Sequence, residues 1–278
     1  MTSINKFQIG AIIGAVLLIV LLFIAPKIGN PEAKEAKGKD GENEFSMQTY
    51  IDSLKKTLPK NQTDNIAVQE QLLQSARNPQ QKLSLLDSLS KLWNASKQLS
   101  VAGYYLEQKA LINNNGADWN NAGNKYYGSS KFGTNQYKVV WMTKAIECYT
   151  KVTELEPNNL EAKVSLGVCY VEGTQDPMKG IGLLREVIQL DSTNISAQLN
   201  LGMFAVQSGQ YDKAIDRFSK ILLMHPDYIE AYLYLGQTYA SKGDKKTAIE
   251  ILEKYKKVNT DESINTEVQG YINELKNS

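Results

Sequence analysis

Leu201-Gly202 and Leu235-Gly236 stand 34 residues apart, and the residues around them return in the same step. Ala214 comes back as Ala248, Phe218 as Leu252, Tyr211 as Lys245 and Gly209 as Gly243. A third pair, Leu166-Gly167, lies 35 residues upstream. A fixed period of this length marks one helical hairpin used several times. Such a hairpin cannot bury its apolar face alone, so copies must stack into a quasi-one-dimensional array. The period therefore predicts a scaffold that holds partners rather than a fold built around an active site.

Four units follow this step: 118–157, 160–192, 195–226 and 229–260. In the first, Trp119, Ala122, Gly123 and Tyr126 line one helix, and Ala145, Tyr149, Val152 and Leu155 line the next. Between them YYGSSKFGTNQYK makes this unit about ten residues longer than the others, a length that solenoid loops tolerate. Gly123, Gly167, Gly202 and Gly236 fall inside helices, where glycine costs about 1 kcal/mol relative to alanine. Their recurrence predicts a close approach of the paired helix, with Ala145, Gly180, Ala214 and Ala248 facing them. Gly209 and Gly243 are placed at turns that need positive φ. Pro157 and Pro226 close the second helices. Residues 261–277, with Ile264, Val268, Ile272 and Leu275 on one stripe, read as a half-polar capping helix.

Upstream of the repeats, residues 45–111 are helical in pattern but irregular. Four apolar stripes, the first stopping at Pro59 and the second before Asn78-Pro79, predict two helical pairs, read as degenerate repeats. Residues 27–44 have almost no apolar content and read as a flexible tether. From Phe7 to Ala25 the chain carries no charge. Nineteen residues at about 1.5 Å each reach about 28 Å, enough for a hydrocarbon core, so 7–25 is expected to be a transmembrane anchor behind a short tail, 1–6. A cleaved signal peptide is the alternative, but Phe23-Ile24-Ala25-Pro26 is a poor cleavage site. The short head favours an exported C-terminal part, while the lysines after the span favour a cytoplasmic one.

Charge and reactive groups exclude several function classes. The 31 basic and 30 acidic side chains leave a net charge of +1, and only Arg77, Arg185 and Arg217 are arginine, so nucleic acid is not an expected partner. His225 is the single histidine and no Cys-x-x-Cys occurs, so neither a metal site nor a cofactor is implied. Cys148 and Cys169 read as buried small apolar residues, with a disulfide as the alternative. Around Gly128 and Gly133 the sequence lacks the spacing of a phosphate loop. No nucleophile–base pair or carboxylate pair is visible, and no enzyme is expected.

The pattern W-x₂-A-G-x₂-Y in Trp119–Tyr126, and L-G-x₂-Y in Leu166–Tyr170 and Leu235–Tyr239, resembles the tetratricopeptide repeat. The resemblance is specific over 195–260, good over 160–192, interrupted over 118–157 and weak over 45–111. It implies an all-α, right-handed superhelical solenoid, to which the span at 7–25 adds one N-terminal transmembrane helix. It also implies a concave groove lined by the first helix of each unit, and such grooves commonly take peptides. The groove positions are then Asn120, Asn124, Tyr127, Val164, Val168, Val171, Leu199, Met203, Val206, Leu233 and Gln237. No lysine or arginine stands among them, so the carboxylate clamp of the family's chaperone-tail binders is not implied.

Together these readings predict a membrane-tethered protein–protein interaction scaffold. The architecture is similar to anchored tetratricopeptide proteins of bacterial envelopes, such as ancillary subunits of the secretion translocon. That similarity implies translocon subunits or exported polypeptides as partners, a bilayer contact through 7–25, and a single-pass inner-membrane protein with a periplasmic repeat domain. A structural subunit of an envelope machine and a glycan-binding module are the alternatives.

Overall fold

The computed structural model describes residues 45–132 and 135–277. Among these the secondary structure is wholly helical: α1 (Met47–Lys55), α2 (Lys60–Ser75), α3 (Pro79–Ala95), α4 (Leu99–Asn113), α5 (Gly116–Phe132), a 3-10 turn (Asn135–Tyr137), α6 (Lys138–Leu155), α7 (Leu160–Gly173), α8 (Pro177–Leu190), α9 (Ile195–Gln207), α10 (Tyr211–Met224), α11 (Ile229–Lys242), α12 (Lys245–Val258) and α13 (Glu262–Asn277). Residues 46–258 form one compact unit; α13 belongs to a second.

Within the large unit each helix from α2 to α12 packs on its neighbours in sequence, and the first helices also touch along the row, α7 on α9 and α9 on α11. This is an all-α solenoid of the tetratricopeptide type. Its core is a succession of clusters rather than one centre. Ile51, Ile66, Leu86, Leu89, Trp93, Val101, Ala102 and Tyr105 join α1 to α4. Val164, Val168, Leu184, Val187, Ala197, Leu201 and Phe204 join α7, α8 and α9. Ala205, Ala214, Phe218, Ile221, Ala231 and Leu235 join α9, α10 and α11.

Local chemistry sets the helix ends. Asn78, Asn159 and Asn194 each cap a first turn, their side-chain oxygens accepting from Gln80, Ala162 and Ala197. Gly209 (φ +73°) ends α9 and Gly243 (φ +95°) ends α11. Beyond each, an N–H reaches back five residues, Gln210 to the Ala205 carbonyl at 2.8 Å and Asp244 to the Tyr239 carbonyl at 2.9 Å. These are Schellman closures. Lys97 (φ +61°) does the same work after α3, where Gln98 N–H donates to the Trp93 carbonyl at 2.9 Å.

The recurring glycines are close-packed, but mostly not on the small residues facing them. A Cβ at Gly123 would stand 2.9 Å from the Tyr149 ring, one at Gly202 2.5 Å from Phe218, and one at Gly236 2.7 Å from Leu252. The space belongs to the large side chain one turn beyond Ala145, Ala214 or Ala248. Only in the 160–192 unit do two backbones meet: a Cβ at Gly180 would lie 2.2 Å from the Gly167 carbonyl oxygen. The long connection of the first unit is also not a projecting loop. It extends α5 to 17 residues and α6 to 18, against 14 each for α7 and α8. Tyr137 of the turn lies edge-on to Tyr50 of α1, with ring centroids 5.2 Å apart, and Tyr50 and Trp141 of α6 are also 5.2 Å apart.

The second unit contains α13. Asp261 caps it, accepting from the Ser263 and Ile264 N–H groups at 2.9 and 3.2 Å. Val268 and Ile272, one turn apart, are its buried side chains.

The expectation of a transmembrane helix is corrected. Among the described residues no helix is long and apolar enough to cross a membrane. The helices are solenoid elements with a polar side; α10, for example, interleaves Asp212, Lys213, Asp216 and Arg217 with its buried Ala214, Phe218 and Ile221. Residues 7–25, to which the anchor was assigned, and 27–44, the tether, lie outside the described residues.

Candidate functional site

A pocket of about 300 Å³ opens between the first helices of three consecutive repeats, at the small end of the range for ligand sites. Asn124 and Tyr127 come from α5, Tyr149 from α6, Glu161, Val164, Ser165 and Val168 from α7, and Ser196 and Asn200 from α9. Glu161 and Ser165 are one turn apart, as are Ser196 and Asn200, and the two pairs are 35 residues apart. The repeat thus brings equivalent polar positions of adjacent helices to one rim.

The floor is apolar. Val164 and Val168 are buried, and their far sides belong to the α7–α9 core cluster. The walls are two tyrosines held by hydrogen bonds. The Tyr149 hydroxyl donates to Asn124 Oδ1 at 2.7 Å, and that of Tyr127 donates to Glu172 at 2.9 Å. Glu172 also takes Lys131 Nζ at 3.2 Å, so α5 and α7 are tied beside the pocket by a neutralised trio. Burial, with the Glu172 charge second, pushes the Tyr127 phenol above its ordinary value. Burial likewise raises Tyr149. Both hydroxyls are therefore neutral donors throughout the physiological range.

Of the groove positions expected from sequence, the structure brings Asn124, Tyr127, Val164 and Val168 together in this pocket. Asn120 is half-buried on α5 and is not part of the lining. Val171 is half-buried against the α7–α9 cluster. Leu199, Met203 and Val206 pack against the α9–α11 cluster. Leu233 is buried and Gln237 half-buried on α11. Five lining residues escaped the sequence reading: Tyr149, Glu161, Ser165, Ser196 and Asn200. Of the structural positions, Trp119, Ala214 and Ala248 are buried, while Pro157 and Pro226 stand exposed just past the ends of α6 and α10.

No group of His, Cys, Asp and Glu among the described residues could hold a metal ion. Cys148 and Cys169 are buried free thiols rather than a disulfide.

Comparison with known proteins bears on this geometry. The tetratricopeptide repeat model matches residues 205–266. Over those residues the chain carries the tetratricopeptide pattern. Over 92 residues it is 36% identical to the mitochondrial import receptor subunit TOM70 of Rattus norvegicus, a match covering 33% of this chain and 15% of the receptor. The tetratricopeptide solenoid is also similar to solved structures. A tetratricopeptide repeat protein from Parabacteroides merdae superposes with a TM-score of 0.58 at 15% identity, covering 81% of this chain and 83% of that one. MamA from Desulfovibrio magneticus RS-1 gives 0.50 at 21% identity, covering 63% and 94%. At these identities the likeness is one of fold.

The tetratricopeptide solenoid is a class of fold that ordinarily carries no catalysis, consistent with the expectation of a non-enzyme. The expected tie to secretion-translocon subunits has no support among these relatives. Membrane tethering, a bilayer partner and an inner-membrane location are corrected with the anchor: no membrane-crossing helix is found among the described residues.

Proposed function

We propose that the protein is a protein–protein interaction scaffold that receives a segment of its partner in the pocket between α5, α7 and α9. The observation that carries this reading is the lining itself. Three successive first helices contribute polar side chains to a single rim above an apolar floor. A peptide presents that combination in reverse, with backbone amides to satisfy and side chains to bury. The tyrosines are fixed by hydrogen bonds before any partner arrives, so little ordering opposes binding.

The test is a photo-crosslinking residue placed at Ser196, on the rim, and separately at Leu223 on α10, which is 83% exposed and outside the pocket. Partner adducts are expected from position 196, and an excess of a peptide from the partner's crosslinked segment should suppress them. Adducts from Leu223 with none from Ser196 would move the interaction off this face.

A further inference from the structure

The pocket is one-sided in charge. Glu161 is its only charged lining residue, and no lysine or arginine contributes to it. Nearby lysines are already engaged, Lys131 with Glu172 and Lys163 with Glu186. Among the described residues nothing is hydrogen-bonded or ion-paired to the Glu161 carboxylate, which is exposed at the first turn of α7. Asn200, also in the lining, gives one of its two side-chain N–H groups to the Ser196 carbonyl at 2.8 Å, and its side-chain oxygen is a further acceptor. The mouth therefore carries the uncompensated negative charge of Glu161, while Val164 and Val168 in the lining offer apolar contact.

Resting on the peptide-binding reading above, we infer that the pocket selects a lysine or arginine side chain of the partner segment, its aliphatic stem on Val164 and Val168 and its cation at Glu161. A long side chain with an apolar stem and a charged tip matches that vertical order. An acidic side chain or a free C-terminal carboxylate meets repulsion from Glu161 and no compensating cation, which sets this pocket apart from one that clamps chain termini.

Short peptides blocked at both ends, identical except for one central Lys, Arg, norleucine or Glu, provide the probe, and their retention by the full-length chain is the readout. Lys and Arg peptides are expected to bind on the order of fivefold better than norleucine, the upper range for one accessible ion pair, with Glu weakest. Added salt should shrink the advantage. Glu161→Gln should erase the preference, bringing Lys, Arg and norleucine peptides to equal retention, and Glu161→Asp should keep part of it. Norleucine bound as tightly as Lys, or a preference that survives in Glu161→Gln, overturns the inference and leaves peptide binding standing. If no peptide of the set is retained, peptide binding at this pocket falls and the inference falls with it.

Discussion

Replacing Gly202 by alanine tests the close-packing argument directly, provided it is paired with the same change at Gly182. Both glycines lie inside helices, Gly202 in α9 and Gly182 in the adjoining α8. At Gly182 a Cβ would meet nothing within 4 Å. Gly182→Ala should therefore express helix propensity alone and stabilise by about 0.5–1 kcal/mol. At Gly202 the new carbon would lie 2.5, 2.8 and 3.1 Å from three atoms of the Phe218 ring. That ring is fully buried against Tyr234, with centroids 5.7 Å apart, so it has no solvent side to retreat to. Overpacking of this kind costs about 1–3 kcal/mol, so Gly202→Ala should fall below Gly182→Ala by that amount despite gaining the same propensity. Urea unfolding followed by far-ultraviolet circular dichroism measures the gap, as a shift in midpoint at unchanged slope. A gap under about 0.5 kcal/mol, the usual scatter for independent surface changes, would refute the claim that glycine is required here by the ring.

Three shorter predictions follow from other parts of the fold. Gly243→Ala should destabilise by about 1–2 kcal/mol through backbone strain alone, since φ is +95° and no atom lies within 4 Å; Lys97→Gly, at φ +61°, should move the other way, and thermal melts of both would show it. Asp87 is held below the ordinary carboxylate range chiefly by the Lys91 hydrogen bond at 2.6 Å, with Lys109 at 3.5 Å assisting. A depressed carboxylate stabilises above its unfolded-state pKa, and that stability is lost as pH falls through the folded value, so Asp87→Asn should flatten the decline of urea midpoints on acidification. Burial raises the Cys148 thiol and pushes that of Cys169 up to about 12. An aromatic disulfide reagent should accordingly titrate neither in the native protein and both in denaturant, and a fast native reaction at either would contradict the packing.

The hairpin ends were readable from single residues because each is decided locally. Pro59 and Asn78-Pro79 interrupt the stripes where α1 and α2 end, and Gly209 and Gly243 fall where φ is positive. The partner of each helix glycine was harder to read. Periodicity places Ala214 opposite Gly202, but which side chain fills the gap depends on helix rotation, and that brings Phe218 in. The connection after Tyr126 reads as a loop because glycine and serine cluster there. In the structure Ser129 and Ser130 are buried, and the Ser130 hydroxyl donates to the Tyr127 carbonyl at 2.7 Å, so burial and local bonding override composition. The site was legible only in part for a related reason. Val164 and Val168 do face the pocket, but mainly they belong to the core beneath it, so choosing aliphatic residues on a first helix selected floor and missed rim. The rim signal was present as polar pairs one turn apart, Glu161/Ser165 and Ser196/Asn200.

What the repeat leaves unrepeated is where recognition chemistry arises. Matched positions in successive units hold Asn124, Val168, Met203 and Gln237, or Tyr127, Val171, Val206 and Ala240, with the same backbone beneath each set. Uniform units would present a uniform face and could not distinguish one segment of a partner from another. Two of the departures fall together on α5. There Tyr127 replaces an aliphatic residue and Glu172 supplies its acceptor, and Asn124 replaces another and accepts from Tyr149. Each of these bonds joins side chains from different helices, so it fixes a wall and ties the helices together at once. Further along, Leu199, Met203 and Val206 pack with their own cluster and take no part in this lining. The walls of the pocket thus follow from where polar side chains enter the row, and substituting Asn124 and Tyr127 with the valines of α7 should widen it, leave Tyr149 and Glu172 without these partners, and lower the urea midpoint.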